Sequence, residues 1–513
     1  MTRVTIRLGE PLTFEDVVAV AVDGEHVEVA PQVREAMAPA RRLVEELAAR
    51  GEKVYGITTG IGDLANVKID VAEAERLQED IVRSHATGVG ARLETELVRA
   101  MLLLRARTFS FGISGVRYEI VERLVQMLNE GLHPLVPSQG SLGASGDLAQ
   151  LAHLALPILG EGSAEVDGTV MDGADAMAAK GIEPLRLSFK EGLSLVNGTE
   201  MMLAIGILTH YRAEHLARAA DVTGAMTLEA CLGTDRAFDE RIVSLRKHEG
   251  ALTVAANLRK VLGGSGIVAS HRLSEHLVQD AYSLRCIPQV HGAYRDGLRY
   301  IRTTLEAELA SAIDNPSVLA EDGEVMSGGN FHGESLAIAM DHLALCLTGY
   351  GTIAERRIAR LVDPDLNNGL PAFLTEDPGR RSGFMLAQYT AAALVAENRT
   401  LCFPASSDSI PTSAGQEDHV SMGASAARKA RQVLQNSEHV IAIEALASAQ
   451  ALELRAPLEP SRATRAAVET IRSVSASLKE DRPLSADIGT VAVDLVEQER
   501  LVRAVETAVG ELT

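Results

Sequence analysis

The strongest constraint on the fold is an apolar repeat of three to four residues that runs through most of the chain. Val33, Met37, Ala40, Leu43, Val44 and Leu47 share one face of a helix that Gly51 stops. Leu298, Ile301, Leu305 and Leu309 make a second stripe, ending at Asp314-Asn315-Pro316, where the proline forbids further helix. Only 3% of the 513 residues are aromatic and none is Trp, so alanine-rich runs such as Ala391-Ala392-Ala393 let helices approach closely. The pattern predicts a mainly α fold: an elongated helical bundle over residues 113–513 and a smaller N-terminal α+β domain over 1–112. The stretch near 160–192 departs from it, and Glu165-Val166-Asp167-Gly168-Thr169-Val170 reads as a small surface hairpin. A further helix follows Pro457 until Asp481-Arg482-Pro483-Leu484 breaks the pattern.

Lys and Arg number 49 against 70 Asp and Glu, a formal net charge of -21. Such a surface repels phosphate backbones and anionic membranes, so neither nucleic acid nor a bilayer is an expected partner. The start, Met1-Thr2-Arg3-Val4-Thr5-Ile6-Arg7-Leu8, alternates like a short strand and lacks the apolar run of a secretory signal. The apolar stretch from 336 to 353 is interrupted by Asp341 and His342, so no membrane span is expected and the protein is read as cytoplasmic. Cys231, Cys286, Cys346 and Cys402 are scattered without a CxxC pair, the usage of reduced thiols rather than of zinc or disulfides.

Gly140-Ser141-Leu142-Gly143-Ala144-Ser145-Gly146-Asp147-Leu148 joins a proline-containing loop to a helix bearing Leu148, Leu151 and Ala155, with Gly146 or Asp147 as its cap. The glycines let the backbone fold back, so that the Gly146 nitrogen reaches the Ala144 carbonyl and closes a five-membered ring. Loss of water from Ser145 then leaves a methylidene conjugated with that ring, an electrophile no ordinary side chain supplies. Seen alone, such a string is a loop that starts a helix. The whole of it, however, resembles the prosthetic-group motif of the histidine/phenylalanine ammonia-lyase family, and further matching blocks are spread between residues 55 and 421. Gln150 departs from the family, which usually has Pro there. The resemblance implies an aspartase/fumarase-like helical architecture and a homotetramer in which several subunits contribute to each active site. It also implies 4-methylidene-imidazol-5-one (MIO) formed from Ala144-Ser145-Gly146, with no metal or nucleotide cofactor.

Tyr55-Gly56-Ile57-Thr58-Thr59-Gly60-Ile61-Gly62 resembles the family's tyrosine loop, which makes Tyr55 the candidate base. Taking a weakly acidic β-proton calls for a phenol pKa below the free value of about 10, an effect expected from helix N-termini and Arg285. Thr58 and Ile61 stand where histidine lyases more often carry Asn and Phe. Asn197-Gly198-Thr199 and the run from Gln279 through Tyr282 and Arg285 to Gly292 also match. By resemblance, Arg285 binds the substrate carboxylate, Asn197 and Tyr282 contact the prosthetic ring or the amine, Tyr282 also assists ring closure, and Gln279 belongs to the substrate site. Glu200 replaces the usual Gln beside Asn197. In Gly328-Gly329-Asn330-Phe331-His332-Gly333, Phe331 takes the place of the phenylalanine that packs on the ring.

His85, in Ser84-His85-Ala86, and Glu417, in Gln416-Glu417-Asp418-His419, resemble the histidine-specific versions of the substrate-ring contacts. An imidazole offers a donor and an acceptor to such a pair, whereas a phenyl ring leaves Glu417 unpaired at a cost of roughly 1–3 kcal/mol. A hydrogen-bonded core histidine and a Glu417–Arg285 ion pair are the bland alternatives. The implied reaction is elimination of ammonia from L-histidine to trans-urocanate, and attack by the amine or by the imidazole ring are both open. The rivals are a lyase for a modified histidine, a non-catalytic helical scaffold, and a tyrosine or phenylalanine ammonia-lyase or aminomutase, the last favoured by the Thr-Thr-Gly form of the tyrosine loop and disfavoured by Glu417. Gly264-Ser265-Gly266-Ile267-Val268-Ala269 matches a dinucleotide fingerprint only loosely, because no buried strand precedes it, and reads instead as a loop leading toward Tyr282. His271 and His276 are off the helical ligand spacing, so no metal is expected.

Overall fold

The computed structural model describes residues 5–273 and 278–513. The chain is mainly helical and divides into two compact units. The first comprises Met1–Leu208, Arg302–Asp341 and Pro404–Arg428; the second comprises Thr209–Ile301, His342–Phe403 and Lys429–Thr513.

In the first unit the helix Pro31–Ala49 begins with the proline that lacks an N–H anyway and gives way to Gly51, at φ +62°. Its predicted apolar face is buried, and Ala40, Val44, Leu47 and Ala48 form one core cluster with Ile57 and Val318. That cluster anchors the loop carrying Tyr55, because Ile57 is the loop's own contribution to it. The helix Thr95–Ser110 is buried along nearly its whole length, so it lacks a polar face on which to place its arginines. Arg105 and Arg107 are buried within it, and a buried guanidinium persists only with partners. Arg105 finds Glu200 and the Asn197 carbonyl.

Among the described residues every paired strand lies in this first unit. Ile6–Leu8 runs parallel to Val27–Val29, and Val89–Arg92 pairs antiparallel with Pro137–Gln139 across a bulge. Met1 to Val4 of the expected opening strand lie outside the described residues. Leu132–Pro134, Ser163–Val166 and Thr169–Asp172 form a three-stranded sheet. Its last two strands are the predicted hairpin, turned by Asp167 and Gly168, both left-handed as a two-residue turn requires.

The second unit is built from helices, whose buried charges meet in compensated groups. Glu444 pairs with Arg357 and accepts from Thr223 at 2.8 Å and Thr227 at 2.9 Å. Asp221 accepts from His291 at 2.8 Å and Arg295 at 2.7 Å. The segment before Gly264 is the helix Glu249–Val261, and Ser265 caps the short helix Gly266–Ser270 by accepting from the Val268 amide. The loose fingerprint is thus a helix cap. His271 bonds to the Gly233 carbonyl, while His276 lies outside the described residues. All four cysteines are free thiols. Among the described residues one helix, Glu334–Val362, is long and apolar enough to cross a membrane, yet 72% of its most apolar stretch is buried inside the fold, the environment of a core helix.

Ile57 is fully buried, so Ile57→Ala removes packing from the cluster that seats the tyrosine loop. Urea unfolding is expected to show a loss of about 2–5 kcal/mol for Ile57→Ala and about 0.5–1.5 kcal/mol for Ile57→Val. A loss below about 1 kcal/mol for the alanine variant would contradict this seating role.

Candidate active site

The glycine-rich loop is folded by contacts that only glycines permit. Gly143 and Gly146 are both left-handed, at φ +75° and +76°. A Cβ on Gly143 would strike the Ser421 hydroxyl, and one on Gly146 would fall inside the envelope of the Gly198 carbonyl. That carbonyl accepts the Asp147 amide at 2.6 Å, while the Ser141 hydroxyl donates to the Gly146 carbonyl at 3.0 Å. The backbone is therefore gripped on both sides of Ser145. Asp147 stands at the start of the helix Leu148–Ala155, but its carboxylate does not cap that helix as the sequence predicted. It reaches instead to the Met202 amide at 2.9 Å, at the start of the helix Glu200–Ala230. Burial, with the neighbouring charge of Glu200 adding to it and the Met202 amide opposing it, pushes the Asp147 carboxyl up to about 7.

Ser145 faces a cavity of about 780 Å³ in the first unit, whose lining includes Tyr55, His85, Asn197, Phe331 and Glu417. Six of the sequence-predicted site residues thus meet in one space, and Ala144 and Gly146 flank Ser145 in the chain. Tyr55 is placed by a loop stitched from within. The Thr58 hydroxyl donates to the Glu52 carbonyl and accepts from the Val54 amide, and the Thr59 hydroxyl accepts from the Gly56 amide at 3.3 Å. Gly56 is left-handed at φ +71° and packs against Leu193 with no room for a Cβ. The Gly62 amide donates to the Tyr55 hydroxyl at 3.3 Å. The expectation of a lowered phenol pKa is corrected here. Burial raises it above its ordinary value, the Gly62 amide opposes that rise, and the Glu417 charge adds to it. Arg285 of the same chain is not among the groups acting on it.

His85 ends the helix Val71–His85, and its Nδ1 lies 2.8 Å from the Ile81 carbonyl. A carbonyl only accepts, so Nδ1 carries the proton and Nε2 is left as an acceptor. Burial holds the His85 pKa below its ordinary value, outweighing the Ile81 carbonyl and Glu417, which leaves the ring neutral at pH 7. Glu417 accepts from Thr412 at 2.8 Å and from the Ser145 hydroxyl at 3.5 Å. Asn197 donates its amide to the Asn315 carbonyl at 2.8 Å, while its Oδ1 is buried without a hydrogen-bond partner among the described residues. An orphaned acceptor lining a cavity is a group that waits for a ligand. Together with the glycine-turned loop and the place of Ser145 on the cavity wall, it fits a ring formed at 144–146.

Gln279, Tyr282 and Arg285 are not brought to this cavity and belong to the second unit. Tyr282 is 71% exposed, its ring covered by the Arg285 guanidinium at 4.4 Å, and Arg285 Nε donates to the Asp280 carbonyl at 2.9 Å. Sequence reasoning missed Thr412 and Asn315 in the site, reading the second only as a helix stop. It also missed Arg105, whose signal was a charge embedded in the apolar run Met101-Leu102-Leu103-Leu104. Thr58, counted in favour of a tyrosine substrate, does not line the cavity; its hydroxyl closes the turn.

Comparison with known proteins agrees with this geometry. The family model for aromatic amino acid lyases matches residues 12–473. A histidine ammonia-lyase of Gloeobacter violaceus is 51% identical over 504 residues, 98% of each chain. A crystal structure of histidine ammonia-lyase from Trypanosoma cruzi superposes with a TM-score of 0.90 at 40% identity, covering 99% of this chain and 96% of the other. Tyrosine aminomutase from Streptomyces globisporus superposes with a TM-score of 0.94, also at 40% identity, over 99% of this chain and 100% of its own. A glycine-gripped Ala-Ser-Gly facing a phenol, an imidazole and a carboxylate, with a match over nearly the whole chain, makes this protein a member of the aromatic amino acid lyase family.

Proposed function

We propose that the chain is an ammonia-lyase that converts L-histidine to trans-urocanate and ammonia, using MIO formed from Ala144, Ser145 and Gly146. The observation that carries this reading is the meeting of Tyr55, His85 and Glu417 with Ser145 in one cavity. Once formed, the group supplies an electron-poor exocyclic carbon that accepts an electron pair from the substrate. The protein does the rest. Tyr55, as phenolate, takes the β-proton, and the Gly62 amide supports the charge on its oxygen. Asn197 offers its unpaired Oδ1 to the substrate amine or the ring. Phe331 packs beside the reacting tripeptide and restrains it.

The substrate follows from ring polarity. His85 Nε2 and the Glu417 carboxylate, held by Thr412, are both acceptors, and either takes the N–H of a substrate imidazole, a bond that a phenyl ring cannot make. Glu417→Gln is expected to lower kcat/KM for histidine by about 1.5–3 kcal/mol, roughly 10- to 150-fold. Assay by ultraviolet absorbance of the unsaturated acid also covers tyrosine and phenylalanine, and a wild-type preference for tyrosine would replace the histidine reading by the aminomutase-like one.

The pH dependence has a definite sign. A phenol held above its ordinary pKa is mostly protonated at neutral pH, so the active fraction grows as pH rises. His85, held low, is already neutral there and adds no inflection. The expected kcat/KM climbs from about pH 7 to about pH 9, and a plateau beginning below about pH 7 would contradict a raised Tyr55.

Gln279, Tyr282 and Arg285 complete the site from a neighbouring copy in a homotetramer, Arg285 binding the substrate carboxylate and Tyr282 the ring or the amine. The 71% exposure of Tyr282 supports a surface covered by another copy. Coexpressed Tyr55→Phe and Tyr282→Phe chains, each inactive alone, are then expected to recover about a quarter of wild-type activity by random mixing. No recovery would assign both tyrosines to one chain. The protein is read as a cytoplasmic enzyme, and its acidic charge of -21 argues against nucleic-acid and anionic-membrane partners.

A further inference from the structure

Behind the reactive loop lies a buried ion pair that the proposed chemistry does not use. Arg105 and Glu200 are fully buried, with Nη2 of one 3.0 Å from Oε1 of the other. Arg105 Nη1 donates to the Asn197 carbonyl at 2.8 Å, and the Thr108 hydroxyl donates to Glu200 at 2.8 Å. Both side chains press on Gly198 so closely that a Cβ there would overlap Glu200 and lie 2.6 Å from Arg105 Nη1. Gly198, in turn, presses on Gly146 and accepts the Asp147 amide at 2.6 Å. A set of contacts therefore runs from Arg105 and Glu200 through Asn197 and Gly198 to Gly146, whose nitrogen must close the ring.

The pair is poorly suited to mere stabilisation. Arg105 Nε and Glu200 Oε2 have no hydrogen-bond partner among the described residues, and Arg105 Nη2 meets Glu200 as an ion pair without hydrogen-bond alignment. Such a buried pair recovers little of its desolvation cost, so a stability role alone does not explain it. Glu200 stands where the resembling family usually has Gln, so the charge on this side of the pair is a property of this chain.

We propose that Arg105 and Glu200 are positioning residues for ring closure, holding the Asn197-Gly198 peptide against Gly146 so that the Gly146 nitrogen is driven toward the Ala144 carbonyl. The proposal rests on the reading that MIO forms here. In the step it governs, the Gly146 nitrogen forms a bond to the Ala144 carbonyl carbon. The carbonyl oxygen leaves as water with the hydrogens of the Gly146 and Ser145 nitrogens, and the electron pair of the Ser145 N–H bond completes a C=N bond. A second water takes the Ser145 hydroxyl and α-hydrogen, leaving the exocyclic C=C. No oxidant is consumed.

The test is intact mass after timed expression, with circular dichroism and melting to verify folding. Wild type, Glu200→Gln, Arg105→Lys and the double variant Arg105→Met/Glu200→Gln are compared. Because the double variant removes both charges together, it leaves no unpaired buried ion and is expected to fold. It should form the two-water mass deficit more slowly than wild type by on the order of tenfold or more, as a small misplacement of reacting groups does. Arg105→Lys keeps the charge but not the two-point grip and should also be slowed, and Glu200→Gln should fall between it and wild type. If folded variants reach the full deficit at the wild-type rate, the pair is structural and the proposal fails. Should the double variant not fold, Arg105→Lys and Glu200→Gln decide by the same readout. A wild-type chain without the deficit would instead overturn the proposed function itself.

Discussion

The site depends on one close approach of two backbones. The Gly198 carbonyl sits against Gly146 and binds the Asp147 amide, and neither glycine admits a side chain. This contact joins the segment that carries Asn197 to the segment that carries Ser145. Once it is made, the helices Leu148–Ala155 and Glu200–Ala230 start from a common point, further secured by the Asp147 carboxylate on the Met202 amide. The energy for so constrained a loop comes from the surrounding core, since ordering flexible glycines and burying polar atoms without partners are themselves unfavourable.

Buried charge is compensated to different extents along the chain. In the second unit, buried carboxylates such as Glu444 and Asp221 collect several donors each. Around the reactive loop the accounting is incomplete: Asn197, Asp147, Glu200 and Arg105 all keep buried polar atoms without partners among the described residues. Where such unsatisfied groups line or back a cavity, they are the ones a ligand or a reaction can use. The same low-polarity setting raises the Tyr55 phenol and lowers His85, which leaves a weak acid and a neutral imidazole lining one cavity.

Much of this was legible in the residues. Helical periodicity located the helices Pro31–Ala49 and Ile287–Leu309, and Asp167-Gly168 located the hairpin, because both signals are local. The glycine spacing around Ser145 pointed to a doubled-back loop for the same reason. What escaped was long-range. Asp147 was read as a cap because nothing in the sequence says that Met202, 55 residues on, offers a better donor. The Tyr55 pKa was expected low because burial is not visible in a motif, and burial proved the larger influence. Thr58 looked like a specificity residue until its hydroxyl was found closing the turn. Arg105 drew no notice because its partners are 92 residues away or more.

The central claim is chemical: a gripped Ala144-Ser145-Gly146 becomes an electrophile. The most direct measurement is fragmentation mass spectrometry of the proteolytic peptide spanning these residues from the purified wild-type protein. The account predicts a peptide lighter by two water molecules, with the whole loss confined to the three residues. A peptide carrying the full mass of its sequence, with ordinary fragments between Ala144 and Gly146, would contradict it.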